Sequence, residues 1–424
     1  MKKSAKFLAL LLVAVTLLTA CSSAKDGGAQ NTASAAFTPK LDTAKAVELK
    51  AAVFFGNFEA LDQVINHFND FYPNVKISYE QQFTEATDFL KNNPTIDIFM
   101  TSCEKGYPKD GCLDLKAAGV DVSDVADNML LPFTEDGKLL SLPMGQTLKG
   151  LVVNKSLLEK EGLTVPQTWP DFLNVLETLK QKGYTPIQGP ESAIVTVGYD
   201  MAMTMLASDP ALYKAVTTGD AEGASKLQAV FDRVLELQEK GYFSPEVNAD
   251  YPDNNYDGAI MKFFEGDVPF WVCDTEKVSG MKKRESKSES FTANPFSYEF
   301  IYTPLGDDGV YEYIEPWYGF SVNKDSDVAD YAAEFLRFMA RQDELNTLAS
   351  IKGVPSVAKE STDTRYAGLN KVEKIASAVT SDGSVPAYFG TLLANAAEQL
   401  LNGEASDSGA AVAAFVAACT QSVQ

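Results

Sequence analysis

The sequence predicts an α/β protein built from two lobes, and three observations carry that reading. At 424 residues the chain exceeds what one hydrophobic core usually spans and suits two lobes of ordinary size. Its composition, 45% hydrophobic and 22% charged, is that of a packed protein rather than a disordered one. Strand and helix periods also alternate. A β–turn–α–β unit runs from Val47 to Tyr79, and a buried strand at Leu148–Val153 leads towards a helix that starts near Thr168.

The first residues stand outside that pattern. Lys2, Lys3 and Lys6 precede an apolar run from Phe7 to Leu18, which has signal-peptide proportions and is too short for a spanning helix. The run ends in Leu18-Thr19-Ala20-Cys21, which resembles the bacterial lipobox. Residues 1–21 are therefore expected to be a lipoprotein signal peptide, cut before Cys21, whose sulfur takes the lipid. Residues 22–45, opening with a stretch rich in Ser, Ala, Gly, Thr and Asn, are expected to form a flexible tether. The body would then lie outside the cytoplasm at the outer face of the cell membrane, reaching it through the lipid alone. With 58 acidic against 36 basic residues the net charge is −22, which argues against nucleic acid and anionic membrane surfaces as partners.

In the body, Phe58, Leu61, Ile65 and Phe68 recur at helical spacing behind the strand Val47–Phe55, and Val75–Tyr79 alternates as a strand. His67, the only histidine, lies off that stripe and reads as a solvated residue. Ile96–Met100 reads as a buried strand with Asp97 as a structural residue. Thr101–Lys105 follows at its carboxyl end, where open α/β sheets bind ligands. Thr168 with Asp171 three residues on makes a capping-box-like start. Phe172, Leu173, Leu176 and Leu179 form that helix's stripe, and Gly183 stops it.

Further helices are expected over Leu227–Leu235, with Gly241 as the stop, and over Tyr256–Phe264, ahead of a strand Val268–Cys273. Lys282–Ser290 reads as a solvated loop and Tyr298–Tyr302 as a strand. Tyr331–Met339 reads as a helix with Phe335 and Phe338 inward, and Ala387–Leu401 and Ala405–Val423 as Ala-rich helices. Cys103, Cys112, Cys273 and Cys419 remain after Cys21. They allow three pairings, of which Cys103–Cys112, enclosing a short polar loop, is preferred.

The order of the pieces carries a resemblance. It runs from FFGNFEALDQVINHFNDFYPNVKISY (54–79) through the strand at Ile96 to Leu142-Pro143 and LVVNK (151–155). It continues with the LL..EGL..P.TW..F pattern (157–172) and Phe264-Glu265-Gly266-Asp267. This order resembles the extracellular solute-binding proteins of ABC sugar importers, the carbohydrate-type family 1. The resemblance implies a type II periplasmic-binding-protein fold, with two discontinuous α/β lobes joined by a three-segment hinge. Lobe 1 would comprise 46–149 and 312–349, and lobe 2 would comprise 150–311 and 350–424. The crossings, at Leu148–Asn154 and near Tyr311 and Ser350, must then run side by side. Implied partners are a carbohydrate, with an oligosaccharide preferred, and the transmembrane permease subunits; no cofactor, metal or enzymatic step is implied, and the protein would act as a monomer.

A sugar ring has apolar faces and a rim of hydroxyls, so a site for one needs flat aromatic surfaces beside hydrogen-bonding side chains. Trp317 and Tyr318, between Pro316 and Gly319, are expected to be exposed in the cleft, whereas Trp271, flanked by Phe270 and Val272, reads mainly as core. Carried over by position, Asn57, Glu104, Gln146 and Thr147 fall where the family's first lobe presents polar groups. Asp274 and Glu276 stand where many relatives have a Gly-x-Trp platform whose Trp is absent here, implying a more polar subsite. Tyr388 matches an aromatic residue of the last helical region.

Other chemistries find little support. A Ser-His-Asp triad would have to use His67, and no phosphate loop, dinucleotide fingerprint or zinc-helix motif occurs. Asp253, Asn255, Asp257 and Gly258 match the start of an EF-hand loop, but position 12 is Phe264, so the closing carboxylate is missing. The alternatives kept are a binding protein for another solute, such as a peptide or polyamine, and a surface-anchored glycosidase.

Overall fold

The computed structural model describes residues 37–102, 107–189, 197–243 and 256–423. The signal peptide, Cys21, residues 22–36, Cys103, Glu104, Asp253 and Asn255 lie outside the described residues.

One core grows from the β–α–β unit that is clearest in the sequence. Strand Val47–Val53 pairs in parallel with Val75–Gln81 and with Ile98–Ser102. Helix Glu59–Asn69 between them buries Leu61, Val64, Ile65 and Phe68, the stripe expected from the 3.6-residue period. The sheet then admits a strand from much later in the chain. Tyr318–Val322 lies antiparallel between Ile98–Ser102 and Leu142–Pro143. Asp97 is structural: it accepts hydrogen bonds from the Lys50 N–H at 2.8 Å and the Ser326 hydroxyl at 2.5 Å.

A second core surrounds Lys149–Asn154, which is antiparallel to both Tyr298–Ile301 and Phe270–Asp274; the latter pairs in parallel with Ile187–Gln188. Gly150 is required in the middle strand, because a Cβ there would lie 2.3 Å from the Ile301 carbonyl oxygen. Helices Trp169–Gln181, Tyr199–Ser208, Gln228–Glu239, Tyr388–Leu401 and Ser408–Val423 cover this core. The Thr168 hydroxyl accepts from the Asp171 N–H at 3.2 Å, and Gly183 ends the helix at φ 89°, as the capping pattern requires. Trp271 is fully buried.

The two cores divide the chain unevenly. The first contains residues from Phe37 to Met144 and from Trp317 to Ala358. The second, with its satellite cluster, contains Leu148 to Tyr313 and Tyr366 to Cys419. The stretches between them meet in a third sheet. In it Val310–Pro316 lies between Ile375–Thr380 and Gln146–Thr147. Gln146 also donates its backbone N–H to the Pro355 carbonyl at 3.1 Å and its side-chain amide to the Ser356 carbonyl at 2.6 Å. Three chain segments therefore lie together, near 146, 315 and 355. Val354, Val357 and Ala358 bury in the first core, although the sequence reading ends that lobe at 349.

Several local expectations are corrected. Residues 37–45, taken as the end of the tether, are tied down. Phe37 is buried, with its ring edge-on to Phe71 and Phe338 and the Arg337 guanidinium 4.2 Å from its centroid. Lys282–Ser290 is no loop: it enters the short helices Met281–Glu285 and Glu289–Ala293, because Met281 and Phe291 pack inward. Cys112 is a free, buried thiol that donates to the Pro108 carbonyl, so the Cys103–Cys112 pairing is not made. His67 is half-exposed and its Nδ1 lies 3.0 Å from Glu344 Oε2, a partner from a helix 277 residues away that local sequence does not reveal. No helix among the described residues is long and apolar enough to cross a membrane.

Candidate ligand-binding cleft

Strand Val47–Val53 ends in Phe54-Phe55-Gly56-Asn57 before its helix begins at Glu59. Tyr318 sits at the same rim, because its strand pairs Tyr318 opposite Ser102, the last residue of Ile98–Ser102. Carboxyl ends of parallel strands are where open α/β sheets present ligand groups. The rings gather there. Phe54 meets Tyr318 edge-on at 4.8 Å and stacks with Phe83 at 6.3 Å, and Phe55 lies 5.5 Å from Trp317 and 6.1 Å from Tyr318. Phe83 is 78% exposed and Phe55 and Tyr318 are half-buried, so this wall offers apolar faces to the gap between the cores. Asn57 is exposed beside it.

Trp317 departs from its expected exposure. It is only 8% exposed: its backbone N–H donates to the Gly145 carbonyl at 2.8 Å and the ring settles over a residue with no side chain. It braces Phe55 and Tyr318 from behind.

Across the gap, Phe270–Asp274 delivers Asp274 and Glu276. Asp274 caps helix Thr275–Ser279, accepting from the Lys277 N–H at 2.9 Å, and pairs with the Lys277 ammonium at 2.8 Å. Both carboxylate oxygens are thus engaged, and Asp274 is primarily a cap. Thr275 locks this helix to the start of the second core through Leu148, with N–H to carbonyl at 3.0 Å and Leu148 N–H to Thr275 Oγ1 at 3.1 Å. Glu276 is exposed. Lys283 from the next helix reaches Glu59 of the first core at 3.2 Å, an ion pair between the two cores.

Lys352 is the group the sequence reading missed. It ends helix Gln342–Lys352, and its ammonium lies 3.6 Å from the Phe55 centroid and 5.1 Å from that of Trp317. Burial lowers its pKa and the nearby Lys283 adds to this, while Glu276 opposes it. No local pattern flags the terminal lysine of a helix. Phe54 and Phe55 were also passed over, although an aromatic pair directly after the first strand is a legible signal.

Behind the cleft, beside the chain crossings, is a buried charged cluster. Tyr199 donates its hydroxyl to Glu315 at 3.0 Å. The Lys149 ammonium lies 3.4 Å from the Tyr199 ring centroid and 4.0 Å from Glu315 Oε2. Asp200 is 3% exposed and its Oδ1 has no hydrogen-bond partner among the described residues. Burial holds the Asp200 carboxyl well above the usual carboxylate range. Lys149 only partly offsets this, and Glu315 and Glu312 reinforce it.

A carboxyl raised on folding favours the folded state fully below its ordinary pKa, and that contribution declines above it and is gone once the pH has risen through the folded value. Asp200→Asn is therefore expected to leave stability unchanged near pH 3 and to increase it progressively above pH 4. The gain should approach about 1.4 kcal/mol for each pH unit until the folded value is passed. Thermal unfolding of both proteins across pH checks this; equal melting temperatures at pH 7 would contradict it.

Of the candidates from sequence, the structure brings Asn57, Tyr318 and Glu276 to the gap, with Asp274 at its edge and Trp317 buried behind Tyr318. Gln146 and Thr147 sit in the crossing ribbon, where Gln146 spends its amide on Ser356. Tyr388 is not joined to this group. It is 42% exposed and stacks edge-on with Phe389 of the second core. Among the described residues no set of three metal-ligating side chains converges.

The family model described as bacterial extracellular solute-binding protein matches residues 63–376. An uncharacterised ABC transporter extracellular-binding protein of Pyrococcus horikoshii is 27% identical over 299 residues, covering 64% of this chain and 66% of that protein. The match thus spans just under two thirds of that relative's length. A sugar transporter protein of Bacillus licheniformis, solved in complex with stachyose, superposes with a TM-score of 0.61 at 19% identity, covering 88% of this chain and 99% of the other. The sugar-binding protein MalE of Xanthomonas citri superposes with a TM-score of 0.68 at 15% identity, covering 88% and 96%. At these identities the two structures establish the likeness of fold: two α/β lobes of the type II periplasmic-binding-protein class.

Proposed function

Because the chain belongs to the bacterial extracellular solute-binding protein family, we propose that it captures a carbohydrate, an oligosaccharide in preference to a single sugar, and delivers it to the permease of an ABC transporter. The observation that carries this reading is the aromatic wall of Phe54, Phe55, Phe83 and Tyr318. It faces polar groups of the second core across three adjacent chain crossings. Rings supply apolar surface for sugar faces, and Asn57, Glu276 and the backbone at the strand ends supply partners for hydroxyls. Glu104, Thr147 and Gln146 complete the proposed set, with Trp317 acting as the brace.

The proposed lobes are 37–145 with 317–358, and 148–313 with 366–423, and the ribbon near 146, 315 and 355 serves as the hinge. A ligand touching both lobes binds the closed state better and shifts the population towards it. No bond needs to be made or broken. Lipid on Cys21 would hold the protein at the outer face of the cell membrane, and it would act there as a monomer.

A thermal-shift screen tests this. A sugar at a hundred times its dissociation constant adds about 2.7 kcal/mol of stability. Tyr318→Ala should weaken that sugar at least about tenfold, as loss of an interface aromatic does, while Trp317→Ala would confound binding with unfolding. A response to peptides or polyamines with none to sugars overturns the ligand class. Products released from glycans at a useful rate overturn the binding reading altogether.

A further inference from the structure

Lys352 sits inside the proposed site with its charge only partly matched. Its ammonium has three N–H donors, and no hydrogen-bond acceptor or ion-pair partner engages them among the described residues. The neighbours it does have are the ring faces of Phe55 at 3.6 Å, Trp317 at 5.1 Å and Phe58 at 5.8 Å. The other nearby cation, Lys283, is already paired with Glu59. Ring faces hold a cation by their quadrupole, for roughly 0.5–2 kcal/mol, and leave its N–H donors unused. A half-buried ammonium in that condition gains most from an anionic acceptor that arrives with the ligand.

We propose that Lys352 is a specificity-determining residue that reads a carboxylate on the sugar, so that the preferred ligand is an oligosaccharide bearing a uronic acid. This rests on the carbohydrate reading above and narrows it. The uronate ring lies against the Phe55–Tyr318 wall, and its carboxylate accepts from the Lys352 ammonium at the edge of that wall. Glu276, which faces the same ammonium from the second core, sets a limit on the preference: one anionic group is accommodated, and a run of several is repelled.

The test uses matched pairs of sugars that differ only in oxidation at one C6, such as galactobiose and galacturonosyl-galactose, or cellobiose and cellobiouronate. Binding to the purified protein is measured by calorimetry at low and moderate salt. The uronate member of at least one pair is expected to bind at least about tenfold tighter than its neutral counterpart, the size of one charged hydrogen bond. Lys352→Gln should bring the uronate-to-neutral affinity ratio close to one, and Lys352→Arg should keep it. The wild-type preference should also shrink as salt rises.

Neutral members binding as well as uronates, or Lys352→Gln weakening both members equally, overturns the assignment and leaves the carbohydrate reading standing. Failure of every sugar in every pair overturns this proposal; the carbohydrate reading falls with it only where the wider sugar screen is also silent and a peptide or polyamine responds. Melting temperatures of the Gln and Arg variants close to wild type separate a binding effect from misfolding.

Discussion

Gly353→Ala is expected to cost about 3 kcal/mol or more and to force the two lobes apart. Gly353 ends helix Gln342–Lys352 in the left-handed region at φ 82°, where an L side chain costs roughly 1–2 kcal/mol. Its surroundings add to that. A Cβ would lie 2.6 Å from the Ser279 Cα and 2.8 Å from that residue's Cβ and carbonyl oxygen, and Ser279 belongs to the second core's helix Thr275–Ser279. The Gly353 carbonyl also accepts from the Tyr366 hydroxyl at 2.6 Å, fixing the same junction from the other side. Overpacking against backbone costs a further ~1–3 kcal/mol. Gly162→Ala is the matched control, since Gly162 has φ 73° with open space around it, and should lose only the conformational part. Urea unfolding of both variants decides the matter. Equal losses would show that the lobes do not press on Gly353.

The second large effect is expected at Glu334. This residue is 5% exposed in helix Ala329–Met339 and holds four donors. The Tyr72 hydroxyl donates at 2.7 Å, Arg337 donates through Nε at 2.8 Å and Nη2 at 2.7 Å, and the Lys40 N–H donates at 3.0 Å. Glu334→Ala takes the acceptor from the buried Tyr72 hydroxyl and leaves the Arg337 guanidinium with the Thr38 carbonyl alone among the described residues. Removing one partner of such a buried pair costs about 3–5 kcal/mol. It should also loosen residues 37–42, which this network pins to the first core, so proteolysis near Lys40 ought to accelerate.

The pH dependence at Glu334 has the opposite sign to that of Asp200. Burial alone would raise the Glu334 carboxyl, but the hydrogen bonds from Arg337, Tyr72 and Lys40 outweigh it and hold the pKa below the ordinary value. The stability it confers is present above that ordinary value and is lost as the pH falls through the depressed one. Glu334→Gln should therefore flatten the acid limb of the stability profile between about pH 5 and pH 3. A variant whose acid limb matches wild type, or whose loss at pH 7 is under about 1 kcal/mol, contradicts the network argument.

Much of the candidate site could be found from sequence because its position is set by strand ends. Asn57 follows the first strand, Tyr318 opens a returning one, and Asp274 and Glu276 follow another, so recognising the strands located them. What each side chain does there was less accessible. Trp317 lies between a proline and a glycine, a local context that suggests exposure, yet Gly145 from a distant segment provides the surface that buries it. Asp274 reads as a ligand group by position, and its carboxylate is spent on a cap and on Lys277. Asp200 is the one charged residue in the largely apolar stretch Val197–Leu206, a mismatch that could have marked it as a buried acid.

The sequence alone determined much of the local order: the β–α–β unit from Val47 to Gln81, where Thr168 and Gly183 start and stop a helix, and which faces of these elements are apolar. These follow from periodicity and capping, in which interacting residues are a few positions apart. The order of the segments also sufficed for the likeness to solute-binding proteins. Only the tertiary structure decided that the third crossing passes near 355, that Cys112 is a free thiol, that Phe37 anchors residues 37–45 to the first core, and that Lys352 lies on Phe55. Each of these depends on segments tens to hundreds of residues apart meeting in space, and one-dimensional spacing carries no record of such meetings.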